Sequence, residues 1–271
     1  MILTDTHLHT SFSSDSRTPM ESMVREGIRR GLKTICFTEH YDPDFPEIPA
    51  GLDFSLDFDS YYDEYLRMKT LYGDRIEILH GIELGIQPHL SDFLNDFYES
   101  QGGRYDFIIS SCHLVDRLDP YYPEYFDSLG PEKGLFHYFE TLYENLLAFD
   151  HYQTAGHLDY AARYIKKPVP EFHYEDYGDI LDAILLHLIK KDKALEVNTS
   201  GLKAGLAWPN PHMEILKRYH DLGGRRLTIG SDAHQPEHMA YDFHILPDYL
   251  RQAGFDRYEI YRKQQPFEIL F

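Results

Sequence analysis

The sequence predicts a parallel α/β protein, a (β/α)7 barrel of the TIM-like kind. Short apolar or β-branched runs alternate with amphipathic helical periods, an order that needs a helical crossover between successive parallel strands. Seven such units fit the chain at about 39 residues each, comparable with the roughly 31 per unit of an eight-unit barrel once two long loops are added. Residues able to bind metal also recur at the carboxyl end of one strand after another, the rim on which parallel barrels build their sites. An open doubly wound sheet is the architectural alternative, but neither Gly-x-Gly-x-x-Gly nor the Walker pattern occurs.

Taken in order, Ile2, Leu3, Thr4 and Thr6 suit a short buried strand that runs into Asp5-Thr6-His7-Leu8-His9. Strand alternation places His7 and His9 on one face, about 7 Å apart. Thr18-Pro19-Met20-Glu21 is a capping-box pattern with proline at the first helical position; Met20, Met23, Val24 and Ile28 follow at helical spacing, and Gly31 closes the helix. Lys33 to Thr38 forms a second strand with Glu39-His40 at its end. Residues 41–60 are acidic, aromatic and proline-punctuated, a long loop of the kind that carries function. A helix from about Ser60 to Leu71 leads to a third strand, from Ile76 through Gly81-Ile82-Glu83-Leu84-Gly85.

Phe93, Leu94, Phe97 and Tyr98 mark the next helix, and Asp106 to His113 the fourth strand. A second long loop, Val115 to Lys133, precedes a helix with Phe139, Leu142, Tyr143 and Leu146 on one face. Gln153 to Asp159 ends a fifth strand. Ile180, Leu181, Ile184, Leu185 and Leu188 line a helix before the sixth strand, Ala194 to Thr199. A helix from Met213 to Leu222 stops at Gly223, and Arg226 to His234 is the seventh strand, again ending on candidate ligands.

One domain over residues 1–271 is expected, since the chain is long enough to bury its own core and no Pro/Gly/Ser-rich linker divides it. Cys36 and Cys112 lie in strand-like runs without metal-finger spacing and read as reduced core residues of a cytoplasmic protein. No signal-peptide pattern or apolar membrane span is seen. Lys plus Arg total 26 against 45 Asp plus Glu, a net charge of −19 that disfavours nucleic acid as a partner. The oligomeric state is left open.

His7, His9, His40, Glu83, His113, His157, Asp232 and His234 all fall at carboxyl ends of predicted strands. Singly, each has an ordinary reading: a surface acid for Glu83, a core histidine for His157, a helix cap for Asp232. Together they converge on one rim. Imidazoles with carboxylates and no thiolate suit Zn, Mn or Fe, and this is too many ligands for a single ion. Two or three divalent ions are implied, with Glu83 the best placed to bridge two of them.

The motifs Asp-Thr-His-Leu-His, Thr-Glu-His, Gly-Ile-Glu, Ser-Cys-His, Gly-His-Leu-Asp and Ser-Asp-Ala-His resemble the polymerase-and-histidinol-phosphatase (PHP) superfamily of distorted (β/α)7 barrels with trinuclear metal centres. Within it, Gly156 to Asp159 followed by Arg163-Tyr164, the run Glu196 to Lys203, and Gly230 to His234 are similar to the histidinol-phosphate phosphatase group. The resemblance implies one ion held by His7, His9, Glu83 and Asp232, a second by Glu83, His113 and His157, and a third by Asp15, His40 and His234. Asp15 stands where many superfamily members have histidine, which leaves that ion's identity open.

The resemblance further implies hydrolysis of L-histidinol phosphate to L-histidinol and phosphate in histidine biosynthesis, by attack of a metal-bridging hydroxide on phosphorus. Arg163 and Lys203 are the expected phosphate contacts; arginine is usual in the group where Lys203 stands, and lysine gives up bidentate geometry. Asp232, His234 or a metal-held water supplies the leaving-group proton. The two acidic, aromatic loops form the expected wall for the substrate's cationic end, with Asp42, Asp44 and Glu47 as candidates. The alternatives are another PHP phosphoesterase (protein-tyrosine, small phosphomonoester or exonuclease), a non-catalytic PHP module, or a metal-dependent amidohydrolase.

Overall fold

The structure is a computed structural model that describes residues 1–47, 51–167 and 171–271. Seven strands, β1 (Thr4–Leu8), β2 (Thr34–Tyr41), β3 (Glu77–Gly85), β4 (Phe107–Ser111), β5 (Thr154–Ala155), β6 (Ala194–Asn198) and β7 (Leu227–Gly230), form one sheet in chain order. Every neighbouring pair is parallel. A parallel bridge from Leu8 to Ala233 draws the two edges together, so the sheet curls into a nearly closed barrel. The expected α/β, TIM-like class is the observed one.

The crossovers are helical. They comprise α1 (Met20–Arg30), α2 (Phe58–Tyr72), α3 (Ser91–Gln101), α4 (Pro123–Leu129), α5 (Pro131–Ala148), α6 (Gly178–Lys190), α7 (Ser200–Lys203) and α8 (Met213–Asp221). After β7 come α9 (Leu246–Gln252) and an antiparallel hairpin of β8 (Arg257–Arg262) and β9 (Gln265–Leu270). The strands of the parallel sheet are buried on both faces, as expected when helices cover its outside, whereas β9 of the hairpin is largely exposed.

Strand alternation stratifies the barrel interior. On β2 the same face carries Cys36, Thr38 and His40; on β3 it carries Leu79, Gly81 and Glu83. At the amino-terminal end, Cys36, Leu79, Phe107 and Ile109 pack with Tyr261 of the hairpin into a small apolar cluster. At the carboxyl end the same face presents His40 and Glu83, which are direct register partners. Apolar burial closes one mouth of the barrel and leaves the other for chemistry. Cys36 and Cys112 are both free and buried.

Four local expectations are revised. Thr18 does not cap α1: Pro19 occupies the N-cap position, and Thr18 Oγ1 donates to the His234 carbonyl at 2.9 Å, with Ser16 Oγ on the same oxygen at 2.7 Å. Those hydroxyls tie the first loop to the last. β5 has only two residues, because the N–H of His157 is diverted from the sheet to Glu196 Oε2. The second long loop contains α4. Finally, the hairpin had no counterpart in the sequence reading.

Candidate metal centre

Glu83 is wholly buried, and its carboxylate is the hub of the rim. Oε1 lies 3.1 Å from His113 Nε2 and 2.9 Å from His157 Nε2. Oε2 lies 3.1 Å from His7 Nε2, 3.3 Å from His9 Nε2 and 3.0 Å from His40 Nδ1. Asp232 Oδ1 approaches His9 Nε2 at 3.5 Å and His7 Nε2 at 3.9 Å. Asp15 Oδ2, nearer solvent, is 3.5 Å from His40 Nε2 and 3.0 Å from His234 Nε2. All nine expected ligands therefore meet.

The ring of His9 stacks between those of His40 and His234, at 4.1 and 4.2 Å between centroids. The His7 and His9 rings are 5.1 Å apart, closer than ideal alternation gives, and the β1–β2 register shifts between Asp5 and Leu8. Among the described residues five groups are compact enough for one ion each: His7–His9–Glu83, Glu83–His113–His157, His9–His40–His234, His7–His157–Asp232 and His40–Asp42–His113. The first two agree with the ligand sets the resemblance implies. In the third, His9 closes the group from within and Asp15 stands at its rim.

The donor set fits divalent metal. His7 Nε2, His9 Nε2, His40 Nδ1, His234 Nε2 and Glu83 Oε2 are buried without a hydrogen-bond partner. Each such atom costs about 1–3 kcal/mol unless something else engages it. Two ligands held about 2.1 Å from one tetrahedral ion lie about 3.4 Å apart, which matches the separations above. Charge points the same way. Burial by itself lowers an imidazole pKa, yet Glu196 and Glu83 hold His7 well above the ordinary range, Glu83 and Asp15 do so for His40, and Asp42 with Glu83 raises His113 to about 10. Glu83 and Asp232, though buried, are held well below the usual carboxylate range by the surrounding imidazoles. The carboxylates demand positive charge here, and protons meet that demand where cations do not.

Behind the ligands stand orienting groups that the sequence reading did not assign. Glu196 Oε1 is 2.6 Å from His7 Nδ1, and Asp42 Oδ1 is 2.6 Å from His113 Nδ1. Glu39 accepts from Ser13 Oγ at 2.6 Å, and Ser13 Oγ lies 3.2 Å from His9 Nδ1. Such contacts fix the tautomer and direct the other nitrogen at the metal. The available signal was a charged residue inside a buried strand run, as in Ala194-Leu195-Glu196-Val197.

A cavity of about 320 Å³ opens over the cluster. Phe45, Leu52 and Phe54 line it from the first loop, Asp119, Tyr121 and Tyr122 from the second, and Tyr160, Arg163 and Tyr164 from the turn after β5. The Arg163 guanidinium lies 4.2 Å over the Tyr160 ring, with Nη1 3.6 Å from Asp232 Oδ2. Its Nε and Nη2 are buried and unpartnered. Lys203 does not line this cavity: Nζ donates to the Asp232 carbonyl at 3.3 Å, and the side chain faces an adjoining recess with Arg17 and His238 that shares Asp15 and His234 with it.

The acidic wall also differs from expectation. Asp42 is taken up by His113, Asp44 is exposed and pairs with Arg117 and with His89, and Glu47 is exposed outside the cavity. Residues 48–50 of that loop lie outside the described residues. Asp119 takes the expected place. Its Oδ1 accepts from Tyr121 N at 2.8 Å, and burial pushes its carboxyl pKa up.

Residues 5–200 match the PHP domain family. The chain belongs to the PHP family. The histidinol-phosphatase of Lactococcus lactis subsp. lactis is 33% identical over 252 residues, covering 93% of this chain and 91% of that protein. The crystal structure of histidinol phosphate phosphatase from the same organism, complexed with zinc, L-histidinol and phosphate, aligns with a TM-score of 0.87 at 30% identity. That alignment covers 97% of this chain and 98% of the other. Among the described residues, no helix is long and apolar enough to cross a membrane.

Proposed function

We propose that this chain is a metal-dependent phosphomonoesterase that hydrolyses L-histidinol phosphate to L-histidinol and phosphate, working as one catalytic unit over residues 1–271 in the cytoplasm. The observation that carries this reading is the pairing, in one cavity, of a buried guanidinium with two free N–H edges and a carboxylate held among tyrosines. An anion belongs at the first and a cation at the second. Histidinol phosphate has both, and the zinc complex of the Lactococcus relative supports the assignment.

Three ions fit the cluster in this reading. His7, His9, Glu83 and Asp232 hold one, Glu83, His113 and His157 the second, and Asp15, His40 and His234 the third, with zinc supported by the relative. When bound, divalent ions lower the pKa of water and neutralise charge on phosphate. Arg163 grips the non-bridging phosphate oxygens from the opposite side, where charge stabilisation counts most.

Of the two candidate proton carriers, His234 has Nδ1 on the Asp232 main-chain carbonyl, while Nε2, without a hydrogen-bond partner and 3.0 Å from Asp15 Oδ2, is committed in this reading to the third ion. Asp232 faces His9 through Oδ1 and the Arg163 side of the cavity through Oδ2. We therefore assign Asp232 to take a proton from the attacking water and return it to the leaving alcohol oxygen. Asp119, flanked by Tyr121 and Tyr122, receives the ammonium or imidazole end. Lys203 acts on phosphate only by extending past the Asp232 main chain.

The test is phosphate release by metal-reconstituted protein from L-histidinol phosphate, phosphotyrosine and 4-nitrophenyl phosphate. A kcat/KM at least about a hundredfold higher for histidinol phosphate is expected, corresponding to roughly 3 kcal/mol. Equal turnover of all three would leave a PHP phosphatase of other specificity.

A further inference from the structure

Glu196 sits mid-strand in β6 between Leu195 and Val197 and is 1% exposed. A carboxylate so placed is costly unless both oxygens are engaged. They are engaged by two different strands. Oε1 is 2.6 Å from His7 Nδ1 at the end of β1, and Oε2 accepts from the main-chain N–H of His157, just after β5, at 2.8 Å. Asn198 Nδ2 donates to Oε2 as well, at 3.1 Å.

The opposite edges of the same two histidines face Glu83: His7 Nε2 is 3.1 Å from Oε2 and His157 Nε2 is 2.9 Å from Oε1. Glu196 thus stands behind the ligands of both positions that share Glu83. Packing reserves the space, since a Cβ at Gly230 would overlap His7 Cβ and Glu196 Oε1. The other orienting acids differ: Asp42 bonds one ligand ring, that of His113, and Glu39 reaches His9 only through Ser13.

We propose that Glu196 is a positioning residue that couples two metal positions, fixing the ring of His7 and the main chain of His157 with a single carboxylate. The proposal rests on the assignment of those histidines to the two positions sharing Glu83. Its readout is metal binding without substrate, so it fails separately from the substrate assignment.

The substitution Glu196→Gln is diagnostic because an amide has one accepting edge. His7 Nδ1–H and His157 N–H both need an acceptor, so one loses its partner whichever way the amide turns, and because both rings face the single Glu83 carboxylate, displacement of either shifts Glu83 and with it both positions. Chelator-stripped wild-type and E196Q protein would be titrated with Zn²⁺ against a chromophoric chelator, and bound zinc counted by mass spectrometry. Two equivalents are expected to weaken together by about ten- to a hundredfold, with the third unchanged. Unaltered binding, weakening of a single equivalent, or equal weakening of all three would overturn the proposal. If E196Q fails to fold, Glu196→Asp keeps the charge but is one methylene shorter and cannot span both partners. The same paired loss is expected, and full wild-type zinc binding by E196D would equally overturn the coupling.

Discussion

Asp42 and His113 form a hydrogen bond of 2.6 Å from which solvent is almost excluded, Nδ1 donating to Oδ1. Gly85 makes the contact possible, because a Cβ there would run into the Asp42 carboxylate. With Oδ1 so engaged, Asp42 is expected to orient His113 rather than to contact substrate. Asp42→Ala should weaken metal binding by about ten- to a hundredfold. Under metal saturation, the preference for histidinol phosphate over 4-nitrophenyl phosphate should stay within about twofold of wild type. A collapse of that preference would place Asp42 against the substrate instead.

Arg163 is held by a tyrosine face and one carboxylate, with two N–H edges left over. Arg163→Ala should cost about 2.7–4 kcal/mol of transition-state stabilisation, a drop of roughly a hundred- to a thousandfold in kcat/KM. Arg163→Lys should recover only part, since an ammonium cannot present a planar fork to phosphate. Inhibition by inorganic phosphate should weaken in parallel; an unchanged inhibition constant would show that the guanidinium does not reach the anion.

Asp119 must be ionised to meet a cationic substrate, and burial raises its pKa above the ordinary 3.8. As pH falls through that raised value the carboxylate takes a proton and the attraction is lost. KM for histidinol phosphate should therefore climb at a higher pH than an ordinary aspartate would give. KM for 4-nitrophenyl phosphate, which has no cation, should lack that rise. Asp119→Asn should raise KM for histidinol phosphate by about ten- to a hundredfold, the worth of a hydrogen bond to a charged group, and abolish the difference in pH dependence. Equal effects on both substrates would remove Asp119 from recognition.

The barrel and the convergence of nine candidate ligands were legible because parallel strands end on one rim, so a histidine or acid closing each apolar run already has a place in space. The groups behind them were less legible. Glu196 reads as one letter of a motif until β1, β5 and β6 are set side by side. Asp44 and Asp119 are indistinguishable as acids in long loops, and only the path of those loops turns Asp44 to Arg117 and Asp119 to the cavity. The β8–β9 hairpin lacks a sequence signal for a different reason. Its turn residues, Lys263 and Gln264, adopt positive φ of 48° and 63° without the glycine or asparagine that normally announces such a turn.

His80 offers a test of the fold away from the metals. Its Nδ1 donates to the Arg104 carbonyl at 2.9 Å, and its ring stacks on Tyr105 and Tyr65 with centroids 4.7 and 4.8 Å away. Burial pushes this imidazole down to about 4, against an ordinary value of 6.5. Between those pH values the unfolded chain binds a proton that the folded chain refuses, so stability falls as pH drops through 6.5 and the loss stops near 4. From pH 7 to pH 5 this single group should cost about 2 kcal/mol. His80→Phe removes the titration but keeps the stacking. At pH 7 it should be less stable by about 1–3 kcal/mol, because the Arg104 carbonyl loses its donor. It should nevertheless lose about 2 kcal/mol less than wild type on acidification to pH 5. Urea unfolding at both pH values, on metal-free protein so that ligand protonation does not also release ions, measures the difference directly. The same loss in both proteins would mean that His80 accepts its proton inside the folded core, contrary to the burial seen here.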